Sequence, residues 1–503
     1  MSLRGLAVAS CALLASGCAT LEAEAPFRAH LESSAPLVRE CAEWYRALDE
    51  RVAAAGVGDA QDARVPGFPY LRVSRLLAAL RTAAAANEPA LQALAERMLK
   101  LDLEARRFEI MNLPPDPLGS LPEASDRFGA RMALERTRHC GRLLRDIDLA
   151  KPDTRAALLR SAQVPDDYSM RNRILGLYAL TRLAFAEGVK RYEAQRLAAF
   201  SREPAIPAGA SLVRVAPPSG LPLPRRQVAE ILGRAARNPL GIPEPDDSHL
   251  QDLLVAYAPS FEIAVAADYD RFGELRWLRG AEAPAADGAQ LVAYGHAAWT
   301  RYRGTLLLQL VYTIWFPERP PQSDGDILAG KLDGITWRVT LAPDGEPLVY
   351  DAIHPCGCFH LFFPTPRAKA LPPPGGLDEW VFAPQPLPRI AEGERPVLRV
   401  ASGTHYIERV SLVRGSDSLA RYEIRPYSEL RSLLRLDGRR ASVFGPDGLV
   451  PGTERPERLL FWPMGIRSAG AMRQWGRHAT AFVGRRHFDD ADLFAKRFIF
   501  DLP

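Results

Sequence analysis

The sequence predicts an α+β protein: an N-terminal α-helical domain followed by a mostly antiparallel β-rich domain with a short C-terminal helix. Three observations carry this reading. Between about Leu37 and Phe200, apolar residues recur at three and four, the spacing of a buried helix face. Beyond about residue 250, the apolar runs become short, β-branched and aromatic. Strand-like and helix-like stretches are segregated rather than alternating, so a βαβ architecture is excluded.

Taken in order, Leu71, Leu76, Leu77 and Leu80, then Leu91, Leu94, Ala95, Met98 and Leu99, define helix faces, with a new start at Asn87-Glu88-Pro89. Four prolines between Leu113 and Pro122 end a helical hairpin. Pro165-Asp166-Asp167 is a further break, and Ile174–Tyr192 reads as a helix packing through Leu175, Tyr178, Leu183 and Phe185. Residues 201–250, with six prolines in 201–226, read as a Pro-rich linker. In the β-rich region, 251–503, Thr305–Phe316 is apolar on both faces apart from Gln309 and Thr313, the mark of a central strand ended by Pro317. Ile335, Trp337, Val339 and Leu341 alternate with polar residues, Pro343-Asp344-Gly345 turns the chain, and Leu348–Ile353 returns as a hairpin partner. Tyr302, Tyr312, Trp315, Trp337 and Tyr350 fit a sheet core better than a sugar-stacking platform. Ala491–Phe498 reads as the closing helix.

Composition bounds the function. The 503 residues are 47% hydrophobic and 25% charged, which fits neither wholesale disorder nor a polytopic membrane protein. Lys plus Arg number 64 and Asp plus Glu 60, a net charge of +4 that over this length gives no global field for nucleic acid or a membrane.

The N-terminus supplies an address. Arg4 is followed by an apolar run from Leu6 to Leu14, too short to span a bilayer, and then by Ala15-Ser16-Gly17-Cys18. This segment resembles the lipobox of bacterial lipoproteins, with Ala15 standing where Leu is commoner. The resemblance implies a signal peptide over residues 1–17 and diacylglycerol on the Cys18 sulfur, with a palmitate-type chain on its amine. Ala19 rather than Asp implies sorting to the outer membrane, facing the periplasm. Residues 18–36 would then be a tether to the membrane through lipidated Cys18. Such an exported compartment permits disulfides, and four cysteines follow the anchor: Cys41, Cys140, Cys356 and Cys358. The most local pairing is Cys41–Cys140 with Cys356–Cys358, although connectivity is not readable from spacing.

His354-Pro355-Cys356-Gly357-Cys358-Phe359-His360 places four soft or borderline ligands at alternate positions. In a straight strand the two histidines lie roughly 20 Å apart, beyond one metal's reach, so a bend at Gly357 is required. Three readings stay open: a Cys356–Cys358 disulfide, a zinc or copper site using His354, Cys356, Cys358 and His360 with help from His296 or His405, and a histidine-activated nucleophilic cysteine. Asp351 is placed to orient a histidine. Arg473, Trp475, Arg477, His478, Arg485, Arg486 and His487 form a basic, aromatic stretch. It suits an anionic ligand or, more simply, a solvated helix face. The chain contains no G-x-S-x-G, H-E-x-x-H, P-loop, G-x-G-x-x-G or C-x-x-C-H motif. The leading functional reading is a lipid-anchored envelope protein with a binding, scaffolding or assembly role, partnered by an envelope protein or an anionic ligand. The alternative is a metal-binding or thiol-dependent envelope enzyme.

Overall fold

The computed structural model describes residues 24–114, 127–220, 223–278, 283–415 and 420–503. The signal and lipobox segment, Cys18 included, lies outside these residues, as does most of the 113–122 stretch. Two compact units divide the chain, one up to Pro165 and one from Asp166 onward. The fold is α+β: a helical N-terminal region, then a strand-rich region that includes a short helix near the C-terminus.

The first unit comprises helices α1 (Ala25–Leu31), α2 (Pro36–Ala55), α3 (Arg75–Ala85), α4 (Glu88–Asn112), α5 (Arg127–Ala150) and α6 (Pro152–Ser161). The side chain of Asn87 accepts from Ala90 N at 3.2 Å, so the break expected at this position is a capped helix start. A hairpin of β1 (Ala63–Val65) and β2 (Phe68–Val73) interrupts the helices and places Leu71 in a strand. Helix α1 occupies the stretch expected to be tether, and His30 Nε2 is 3.0 Å from Asp148 Oδ1. Cys41 on α2 and Cys140 on α5 are joined by a disulfide with their Cα atoms 5.0 Å apart.

The second unit opens with α7 (Met170–Leu175) and α8 (Tyr178–Phe200). Residues 201–250 are not a linker. They contribute β3 (Ser211–Ala216), α9 (Arg225–Ala235) and the start of α10 (Asp247–Tyr257), because the prolines fall between these elements rather than inside them. The later strands are β4 (Ser260–Val265), β5 (Glu274–Arg276), β6 (Ala285–Asp287), β7 (Val292–Tyr302), β8 (Thr305–Arg319), β9 (Gly330–Leu341) and β10 (Pro347–Ile353). They are followed by β11 (Leu361–Pro364), β12 (Ala368–Ala370), β13 (Glu394–Val400), β14 (Ile407–Arg414), β15 (Ala420–Arg421) and β16 (Glu423–Pro426).

Six strands form one sheet in the order β11-β10-β9-β8-β7-β16, and five form another in the order β14-β13-β4-β3-β15. Most pairings are antiparallel, whereas β16 with β7, β13 with β4 and β15 with β3 are parallel. As expected, β8 is central, although it runs through Pro317 to Arg319. Alternate residues Leu308, Leu310, Tyr312, Ile314 and Phe316 join a cluster shared with the five-stranded sheet and α9 and α10. Leu307 and Trp315, on the other face, enter two further clusters. The two polar residues of the strand are satisfied across it: Gln309 Nε2 donates to Thr340 Oγ1 at 2.9 Å, and Thr313 and Thr336 hydroxyls meet at 3.1 Å. The β9–β10 hairpin pairs Tyr350 with Val339. The short helix is α11 (Arg458–Phe461), whereas Ala491–Phe498 closes through turns into a strand at Phe498–Phe500.

Candidate functional site

The His354–His360 segment is the connection between β10 and β11, and it is a tight turn rather than a strand. His354 N donates to Cys358 O at 3.0 Å and Gly357 N to His354 O at 2.8 Å. Gly357 has φ +89°, and a Cβ there would lie 2.5 Å from Ala479 O, so this position needs glycine both for conformation and for close approach. Arg473 clamps the turn, its Nε donating to Cys356 O at 3.0 Å.

The turn sends its two histidine side chains apart, while the two thiols stay together. His354 Nδ1 is 3.0 Å from Asp333 Oδ1, and His360 Nε2 is 2.9 Å from Asp351 Oδ2. Asp351 also holds Arg338 through two oxygens, at 2.9 and 2.5 Å. Burial alone would raise the Asp351 carboxyl, but Arg338 and His360 hold it below the usual range. His405 Nδ1 lies 2.9 Å from Asp333 Oδ2 and its Nε2 3.4 Å from Asp270 Oδ1. Burial lowers its pKa, yet the two carboxylates win and the net shift is upward. His296 sits between Tyr427 and Trp475, at ring distances of 4.8 and 4.5 Å, and neither ring nitrogen has a hydrogen-bond partner.

Two of the three sequence readings are therefore corrected. Among the described residues, no group of three or more His, Cys, Asp or Glu side chains could hold a metal ion, because His354, His360 and His405 are each drawn to a buried carboxylate instead. The proposed zinc or copper set of His354, Cys356, Cys358 and His360 is not assembled. Nor is a Cys356–Cys358 disulfide present: both sulfurs are free and buried. The Cys358 thiol is pushed well up by its hydrogen bond with Cys356 and by burial, which opposes a thiolate nucleophile.

What the two thiols share is a cavity of about 380 Å³. One wall is α8, through Ala184, Phe185, Gly188 and Tyr192, and the turn at 356–360 forms another. Trp380, Phe382, Phe461 and Phe482 complete a mostly apolar lining. Besides the thiols, Tyr192 and His360, its ionisable groups are Glu193, Glu379, Glu457 and Arg486. Arg486 is spent on the protein: Nε donates to Thr480 Oγ1 at 2.9 Å, Nη1 to Trp380 O at 2.6 Å and Nη2 to Thr480 O at 2.8 Å. Glu379 Oε1 accepts from Phe482 N at 2.6 Å and Val483 N at 3.0 Å. Its pKa is raised, by burial, against the pull of Arg486.

Glu457 differs from both. It is 2% exposed, its carboxyl makes no hydrogen bond or ion pair among the described residues, and burial pushes its pKa up to about 7 against Arg455. Glycine at 470 leaves this carboxyl its present position: with φ +83°, a Cβ there would lie 1.9 Å from Glu457 Oε1. A smaller pocket of about 10 Å³, the size of one water, is bordered by Tyr192, Phe359, His354 and Tyr406 and shares its first two residues with the larger cavity.

Residues 473–487 are not a solvated helix face. Arg473, His478, Arg486 and His487 are buried, Arg477 is 3.4 Å from Asp167, and Arg485 is 2.6 Å from Asp166. The arginines and His487 serve backbone carbonyls and acidic partners within this unit, so they are not free for an anionic ligand. Sequence reasoning missed Glu193, Glu379, Glu457, Asp333 and Asp270, which lie far apart in the chain and match no spacing rule. No protein-family model, curated protein or solved structure matches the chain.

Proposed function

We propose that the second unit binds an apolar or amphipathic small molecule in the cavity beside the Cys356–Cys358 turn. In this reading the protein acts at the cell envelope as a lipid-anchored binding component. The observation that carries it is the aromatic-lined cavity of about 380 Å³ with a buried carboxyl, Glu457, in its wall that has no hydrogen bond or ion pair among the described residues. Ligand pockets combine this size and apolarity with a few polar groups that fix orientation. A carboxyl with a pKa near 7 is substantially protonated at neutral pH, so it can donate to a carbonyl or ether oxygen of a ligand. Three carboxyl groups around the cavity and one internally satisfied arginine disfavour an anionic head group. The Cys41–Cys140 disulfide supports an oxidising compartment and hence the envelope address implied by the lipobox. The thiol- or metal-dependent enzyme remains the alternative class, but no geometry at the turn favours it.

A fluorescent long-chain ester, uncharged at its polar end, tests the reading. The expected result is one site per chain. Gly188→Trp fills the cavity from α8, where a Cβ meets nothing within 4 Å, and weakens binding at least tenfold. Absence of stoichiometric binding, or equal binding by the variant, overturns it.

A further inference from the structure

The molecule carries an apolar surface that the cavity does not use. We infer that the surface formed by α7, the first half of α8, and α11 with Trp462 inserts into the interfacial layer of an anionic lipid bilayer. The inference stands without the cavity reading, because it concerns the outer side of these elements.

The elements meet as one surface. Ser169 N donates to Gly465 O at 2.7 Å, and Arg173 Nε donates to Met464 O at 2.9 Å. Gly176, at the corner between α7 and α8, approaches Pro463 so closely that a Cβ would lie 2.5 Å from the proline Cβ. Phe185 and Phe461 pack edge-on at 5.3 Å. Outward from this seam point Ile174, Leu175, Leu177 and Leu180 on one side and Leu459 and Leu460 on the other. All are more than half exposed, with Ile174 at 67% and Leu459 at 71%. Scattered exposed leucines need no explanation, but a contiguous set of this kind marks a binding surface.

Charge and aromatic placement choose the occupant. Residues 170–191 contain five basic side chains and one acidic side chain, and residues 458–467 add Arg458 and Arg467 with no acid. Of these, Arg171, Lys190, Arg191 and Arg458 are exposed, and Arg467, also exposed, pairs with Asp447 at 2.9 Å. Basic residues rimming a leucine-rich surface complement anionic head groups, and Trp462, 40% exposed, suits the level between head groups and acyl chains. Among the described residues no helix is long and apolar enough to cross a membrane, so the mode is insertion from one side. A protein partner would bury such a surface too, yet nothing in its positive rim calls for one.

The test uses the full chain carrying Cys18→Ser, so that no acyl anchor contributes, and vesicles of phosphatidylcholine with or without phosphatidylglycerol. The expected result is co-sedimentation that rises at least tenfold with the anionic lipid and falls at least tenfold in Leu459→Asp/Leu460→Asp. A second variant, Leu175→Asp, gives the same direction from the other side of the seam. Both exchange exposed residues, and an unchanged circular dichroism spectrum verifies folding. Tryptophan quenching by brominated lipid that disappears in Trp462→Phe supports insertion. Vesicle binding that is absent, or equal in all variants, overturns the inference. So does a dimer that the aspartate variants dissociate, which would assign the surface to a second copy.

Discussion

At the scale of single residues, the second unit is organised by carboxylates that the chain spacing conceals. Asp333 receives His354 and His405 and lies 3.7 Å from Arg455, all in a buried site. Burial would raise its pKa, but the two histidines and Arg455 hold it well below the usual value. Asp333→Asn removes the charge its neighbours require, and the expected loss is about 3–5 kcal/mol of unfolding free energy by urea titration. His296 provides a cleaner pH probe. Burial, with a contribution from Arg338, lowers its pKa to about 3, so the native state refuses a proton that the unfolded chain accepts below about pH 6.5. The stability this neutral ring contributes is present above that pH and is lost as pH falls towards 3. His296→Phe removes the effect. Relative to wild type, the variant gains about 2 kcal/mol between pH 7 and pH 5, as slope differences in paired urea titrations report. The thiols give a third outcome: Cys356 and Cys358 are buried, and native protein is expected to resist an aromatic disulfide reagent that titrates both after unfolding.

At the scale of elements, the turn between β10 and β11 decides what its side chains can do. Gly357→Ala forces a left-handed alanine against Ala479 O, and a cost of at least about 1–2 kcal/mol is expected. Faster modification of Cys356 and Cys358 in the same variant checks that the turn itself has opened. The β8–β9–β10 meander was legible, because two-sided apolarity, alternation and a Pro-Asp-Gly turn each have a local cause. The direction of the His and Cys side chains was not, because left-handed backbone at Gly357 and Phe359 breaks the alternation that a strand would impose. Helix α8 hid its role for a different reason. Apolar residues surround it, so the pattern alone places Leu183 in packing, whereas it is 55% exposed and Gly188 and Tyr192 face the cavity. The run of 473–487 misled because arginines that look solvated are satisfied by carbonyl oxygens of loops distant in sequence.

At the scale of the whole molecule, two units are stabilised by different means. The first closes a 99-residue separation with the Cys41–Cys140 disulfide, whereas the second has two free thiols and large shared hydrophobic clusters. Cys41→Ser is therefore expected to lower the stability of the first unit by about 2–5 kcal/mol and to leave ligand binding by the second unchanged. Thermal unfolding with and without reductant, followed together with probe binding, measures both. Helical periodicity, and the change in composition beyond about residue 250, made the α+β class readable. The division at Pro165 was harder, because α7 and α8 are helical in pattern yet belong to the strand-rich unit. The central claim is that the second unit holds a ligand site against α8. A crystal of the protein grown with a brominated medium-chain alcohol tests it most directly. The account predicts an anomalous bromine peak inside the cavity bordered by Phe185, Phe461 and Cys358, and a peak only at the outer surface, or none, would contradict it.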